Sequence, residues 1–168
     1  QSNNRKYIMG GTPRIEFMQN GTIYSNLDDL NTDIICDTEK NGYRLTVNTH
    51  LVDINQNAPV QGEIPVTIYY TYTRQGLEIN VENCYDATYL MLPVIASPTE
   101  EVKVTPQKAS INKDGGTLSI TCTAGHIEVA PTDKDGRIFN PVPGFSFVPL
   151  RIIPNSSEKK IRINILFR

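Results

Sequence analysis

The sequence predicts an all-β protein, an antiparallel two-sheet β-sandwich with almost no helix. Three observations carry that prediction. β-branched and aromatic residues alternate with polar ones in short runs, most clearly from Val66 to Thr73, which reads Val-Thr-Ile-Tyr-Tyr-Thr-Tyr-Thr. Glycine, proline and asparagine punctuate the chain about every 8–12 residues, the spacing of sandwiches and barrels rather than of βαβ units. Only one short stretch, Ser25 to Leu30, offers helix chemistry.

Arg5 to Met9 is a first strand closed by Gly10-Gly11, and Pro13 to Gln19 a second with Ile15 and Phe17 on one face. Asn20-Gly21 is a two-residue hairpin turn, with Thr22 to Tyr24 returning. Ser25 to Leu30 reads either as one helical turn capped by the Ser25 hydroxyl or as a loop. Thr32 to Asp37 and Tyr43 to Val52 form a hairpin whose turn chemistry is Asn41-Gly42, and Asp53 to Gln61 is a polar surface loop.

The central hairpin follows. Side chains alternate across a strand, so Val66, Ile68, Tyr70 and Tyr72 share the drier face and Thr67, Tyr69, Thr71 and Thr73 the wetter one. Arg74-Gln75-Gly76 turns the chain into Leu77, Ile79 and Val81, which alternate with Glu78, Asn80 and Glu82. Ala87 to Ala96 is apolar on both parities, as a strand covered on both faces is, and Pro93 predicts a bulge or an edge there. Further strands are expected at Val102 to Thr105, Ala109 to Ile111, Thr117 to Thr123, Gly125 to Ala130, Phe145 to Ile153 and Ile161 to Phe167, with a tight turn at Thr132 to Gly136. The 168 residues read as a single domain, with Ser97 to Glu101 the place where it would divide, and a chain of this length buries roughly two-thirds of its unfolded surface. Because it begins at Gln1, the expectation is a piece of a longer protein.

A net charge of −2 gives no basic field for nucleic acid or anionic membrane, and Leu90 to Ala96, the longest apolar run, is too short to cross a bilayer. Cys36, Cys84 and Cys122 are single and widely spaced, without a CxxC pair, and read as small buried strand residues, with one bridge plus one free thiol as the alternative. No cofactor or metal is implied. Asp133-Lys134-Asp135-Gly136 begins like a calcium loop but has Gly144 where the closing glutamate belongs, so a β-turn accounts for it. His50 reads as a solvated or capping histidine with a general base as the alternative, while His126 and Glu128 share a strand face as a surface pair, with an acid/base pair or a weak metal half-site as the alternatives. Asp28-Asp29 and Glu100-Glu101 read as solvated acids, and the sequons at Asn20 and Asn155 coincide with turns. The binding candidate is Tyr69, whose ring and hydroxyl on the wetter face would suit a sugar, unless a second layer covers it.

The segment Pro65 to Asn83, followed by Leu90-Met-Leu-Pro-Val-Ile, resembles the large antiparallel "supersandwich" domains of polysaccharide-processing enzymes. Among these are the C-terminal sheet domains of heparinase II/III-like lyases and galactose-mutarotase-like domains. Gly136-Arg137-Ile138-Phe139 and Pro143-Gly144-Phe145 are similar to their closing hairpins. The resemblance implies a secreted, periplasmic or cell-surface bacterial protein in which this chain is a non-catalytic accessory domain. Its partners would be a polysaccharide or a neighbouring catalytic domain. No catalysis is carried over, since the helical toroid that bears such lyases' catalytic groups has no counterpart here. The alternative expectation is a cell-surface adhesion or protein-interaction module, recognisable by a long uncovered edge strand or a flat apolar patch. Exposed tyrosines and acids gathered in one groove would instead favour the glycan reading.

Overall fold

The computed structural model describes residues 11–131 and 146–168. The strands expected at Arg5 to Met9, the turn at Thr132 to Gly136 with its Asp133 and Asp135, and the segments Gly136 to Phe139 and Pro143 to Phe145 lie outside the described residues. The rest is built from strands β1 (Arg14–Gln19), β2 (Thr22–Ser25), β3 (Asp33–Glu39), β4 (Gly42–His50), β5 (Pro65–Thr73), β6 (Gly76–Glu82) and β7 (Tyr89–Ile95). They continue with β8 (Val102–Thr105), β9 (Lys108–Lys113), β10 (Gly116–Ala124), β11 (His126–Val129), β12 (Phe147–Ile153) and β13 (Ile161–Phe167). The smaller sheet has five strands in the order β11-β12-β7-β1-β2, and the larger has eight in the order β3-β4-β5-β6-β13-β10-β9-β8. Every pairing is antiparallel, as the alternation of the sequence demands.

The core lies between the sheets. Ile15, Phe17, Leu90, Leu92, Leu150 and Ile152 from the smaller sheet meet Val66, Ile68, Ile79, Val81, Ile120, Ile161 and Ile163 from the larger in one buried cluster. Most strands contribute every second residue and present a polar set on the far side, whereas β7 is buried on both parities from Leu90 to Val94, as its unbroken apolar run predicted. The smaller sheet covers only part of the larger. β3 lies beyond it, and all seven of its residues are exposed.

Turn chemistry sets the registers. Asn20 and Gly21 both take positive φ (51° and 78°), the conformation of the tight hairpin turn read from the sequence. Gly42 acts differently. The turn is Lys40-Asn41 and Gly42 already pairs with Thr73, where a Cβ would sit 1.7 Å from the Tyr72 carbonyl oxygen. The helical reading of Ser25 to Leu30 survives as one 3-10 turn, Asn26–Asp28, with the Ser25 hydroxyl accepting from the Leu27 amide at 3.2 Å.

Four expectations need correction. Pro93 marks neither bulge nor edge, because β7 is the middle strand of its sheet and Pro93 stands opposite Pro149 of β12. A pair that needs no N–H from either residue is the non-hydrogen-bonded kind, so the two prolines fit face to face. Asp29 is no solvated acid. Its side chain is almost fully buried and accepts from the amides of Asn31 (2.8 Å) and His50 (2.7 Å) and from the Thr49 hydroxyl (2.9 Å). Glu100 likewise caps the Ser97 amide at 2.7 Å and pairs with Lys113 at 3.1 Å, pinning the connection from β7 to β8. Cys36 is exposed, on the overhanging β3, while Cys84 and Cys122 are buried, Cys84 in the loop after β6; all three thiols are free.

Candidate functional site

The pairing of Gly42 with Thr73 brings two hairpin tips side by side, Lys40-Asn41 between β3 and β4 and Arg74-Gln75 between β5 and β6. Between them runs a groove of about 930 Å³, within the size range of ligand sites. Tyr43 and Tyr72 stand directly opposite each other on its floor, 59% and 42% exposed. Their parity is that of the core, but the smaller sheet ends before it reaches them. Glu39, Asn41 and Gln75 add acceptors and donors along the rim, and Lys40 and Arg74 add cations. Two open phenol rings with amides and mixed charge around them can stack on the apolar faces of a polar ligand while hydrogen-bonding its hydroxyls. Sequence reading placed Tyr72 on the drier face and did not single out either ring. The available signal was a tyrosine next to each of two adjacent turns, legible only once β4 was paired with β5.

Tyr69 lies on the opposite, outer face of the same sheet, half-buried, with Thr46 and Asn80 as its cross-strand neighbours. No second layer of described strands covers it. The Arg44 guanidinium sits 5.1 Å from the ring centroid and also approaches Glu39 at 3.7 Å. Asn80 is buried, and among the described residues its Oδ1 is the one buried side-chain polar atom without a hydrogen-bond partner. Tyr69 is thus less exposed than either ring of the Tyr43–Tyr72 pair.

The outer face of the smaller sheet carries a polar cluster that the sequence did not reveal. Arg14 and Glu16 are buried and paired, Arg14 Nε to Glu16 Oε1 at 2.5 Å, and the Tyr89 hydroxyl donates to Glu16 Oε2 at 2.7 Å. Arg151 lies over the Tyr89 ring at 5.2 Å and pairs with Glu128. Burial, then the Glu16 carboxylate, raises the Tyr89 pKa well above its ordinary value. The phenol is therefore held as a donor and is not poised as a base.

Among the described residues neither histidine meets a converging set of acid–base groups. His50 Nδ1 is 3.5 Å from Asp29 Oδ2 at the end of β4. Burial opposes ionisation of Asp29, but the Asn31 and His50 amides, the Thr49 hydroxyl and the nearby imidazole together hold its pKa below the usual value. His126 and Glu128 do share a face of β11, yet the Glu128 carboxylate is taken by Arg151. Among the described residues no group of three metal-ligating side chains converges.

Two antiparallel sheets over one core, with an open tyrosine-floored groove at the hairpin tips, define an all-β module of the two-sheet sandwich class. Its family is specific. The whole chain, residues 1–168, matches the family model described as the ulvan lyase C-terminal domain, and the chain belongs to that family. It is thus an accessory domain of a polysaccharide-processing enzyme, as the resemblance in its central strands implied. No curated protein and no solved structure matches it significantly.

Proposed function

We propose that the domain holds polysaccharide for the enzyme it belongs to, without catalysing its cleavage, and that the groove between the β3–β4 and β5–β6 tips is where the glycan lies. The observation that carries this reading is the exposed, directly opposed Tyr43–Tyr72 pair in a groove rimmed by Lys40, Arg74, Asn41 and Gln75. Aromatic faces supply non-directional contact, and the rim supplies hydrogen bonds and cations for hydroxyl or acidic groups. Ulvan, named in the family's description, is the glycan to try first. The likeness of Pro65 to Asn83 to heparinase II/III-like lyases supports the same reading, and both fit an enzyme that works outside the cell. Tyr69 belongs to the proposal as the second platform, on the outer face.

An NMR or calorimetric titration with ulvan oligosaccharides tests it. Tyr43→Ala and Tyr72→Ala are expected to weaken binding about tenfold each, about 1.4 kcal/mol. If Tyr69→Ala alone weakens binding, the outer face is the platform instead. Saturating glycan that shifts no resonance on either face would overturn the proposal.

A further inference from the structure

We infer that the outer edge of β3, which pairs with no other described strand, receives an extended strand from the remainder of the same enzyme, and that this strand carries lysine or arginine four residues apart, opposite Asp33 and Asp37. Among the described residues three of the four sheet edges are blunted: β2, β8 and β11 are four residues long, β2 is bridged to Val52, and β11 donates from Ile127 to the Pro106 carbonyl. β3 is different. It has seven residues, about 23 Å at the usual rise, and every second one turns its N–H and C=O away from β4. Ile34 and Ile35 are 62% and 46% exposed, one on each face. Such an edge is a template for strand addition.

Charge decides what fits. Asp33, Asp37 and Glu39 share one face of β3 with Ile35, while Ile34, Cys36 and Thr38 share the other. Arg44 answers Glu39 in part, and among the described residues Asp33 and Asp37 have no ion-pair partner. A second copy of this chain is a poor occupant. Two β3 strands paired antiparallel with faces matched and five or more residues overlapping have three registers. One sets Asp33 against Asp37, the next Asp33 against Glu39, and the last Asp37 against Asp37. Like charges directly opposite destabilise a pair, so every register is penalised. A strand with cations facing Asp33 and Asp37 and apolar residues facing Ile34 and Cys36 meets no such penalty.

Size identifies the source. One added strand falls below the roughly 1,200 Å² of a stable interface between free proteins. It suffices for a segment of the same polypeptide, whose effective concentration is on the order of millimolar. The family is a C-terminal domain of lyases, so the rest of the enzyme is the tethered partner. The Tyr43–Tyr72 groove starts at the end of β3, and docking there would set it beside the rest of the enzyme.

Cys36 is a built-in probe, being exposed on β3, whereas burial raises the thiol pKa of Cys84 and Cys122 to about 11. Iodoacetamide labelling of Cys36 would be followed by peptide mass spectrometry in this 168-residue chain and in the complete lyase. The expected result is labelling at least about tenfold slower in the complete lyase, with Asp33→Lys/Asp37→Lys restoring the faster rate while circular dichroism stays unchanged. Equal rates in the two proteins would overturn the inference, as would protection that survives the double charge reversal. A labelling rate in the short chain that falls as its concentration rises would assign the edge to a second copy and overturn it as well.

Discussion

Replacing Glu16 by leucine tests whether the polar cluster on the smaller sheet is held by its pairing. The Glu16 carboxylate is 4% exposed and takes the Arg14 guanidinium on one oxygen and the Tyr89 hydroxyl on the other. Without it a buried guanidinium loses this counterion, which costs about 3–5 kcal/mol. Tyr89 loses its acceptor, a further penalty of about 1–3 kcal/mol that overlaps with the first because the groups act as one network. Taking 3–5 kcal/mol, the midpoint of thermal unfolding falls by about 6–20 °C for a chain of this size. Arg14→Met/Glu16→Leu removes both charges and fills similar volume, so it should recover most of the loss. Urea unfolding followed by far-ultraviolet circular dichroism measures all three proteins. A cost for Glu16→Leu below about 1 kcal/mol, or a double variant no more stable than the single, would refute the reasoning.

Asp29 predicts an acid-sensitive term. Its pKa is lower folded than the ordinary 3.8, so the unfolded chain binds its proton more readily. The resulting stability is present above that value and is lost as pH falls through the lower folded one. Asp29→Asn should flatten the stability profile below about pH 5, and an unchanged acid limb would count against the assignment. Gly42→Ala places a Cβ 1.7 Å from the Tyr72 carbonyl oxygen, so the hairpin tips must part. Unfolding should be easier by more than about 1 kcal/mol and the Tyr43 resonances should move, whereas native stability would show that the backbone yields without strain. Ile163, fully buried in the middle of the larger sheet, should cost about 2–5 kcal/mol when cut to alanine, measured in the same urea series.

Much of the fold was legible because strand chemistry is local. The strand limits read at Val102 to Thr105 and Ile161 to Phe167 are those observed, and the Val66 to Thr73 alternation separates core from solvent as expected. What escaped depends on which strands become neighbours. Tyr72 follows the parity of Ile68 yet is exposed, because burial requires a facing sheet and the smaller sheet stops short. Cys36 looked like a small core residue for the same reason. Arg14, Glu16, Tyr89 and Arg151 lie in three separate strands, and only the registers of β1 with β7 and of β7 with β12 gather them. Asp29 looked like half of a solvated acid pair until the chain brought the β4 terminus over it.

The facing prolines of β7 and β12 have a consequence for how the smaller sheet grows. The Ala130 amide donates to the Pro149 carbonyl, so that residue's missing N–H would have faced β11; by the same pair geometry, that of Pro93 would have faced β1. Each proline withholds the donor that a lengthened neighbour would require. The β1 ladder with β7 ends at Arg14 opposite Met91, and the β11 ladder with β12 ends at Val129 opposite Leu150. At that end of the sheet the prolines of the inner strands meet prolines of the outer ones, Pro13 just before Arg14 and Pro131 just after Ala130, so ring chemistry limits its width from both sides. Valine at position 149 would supply the missing donor toward the Ala130 carbonyl, while Pro131 would still follow it.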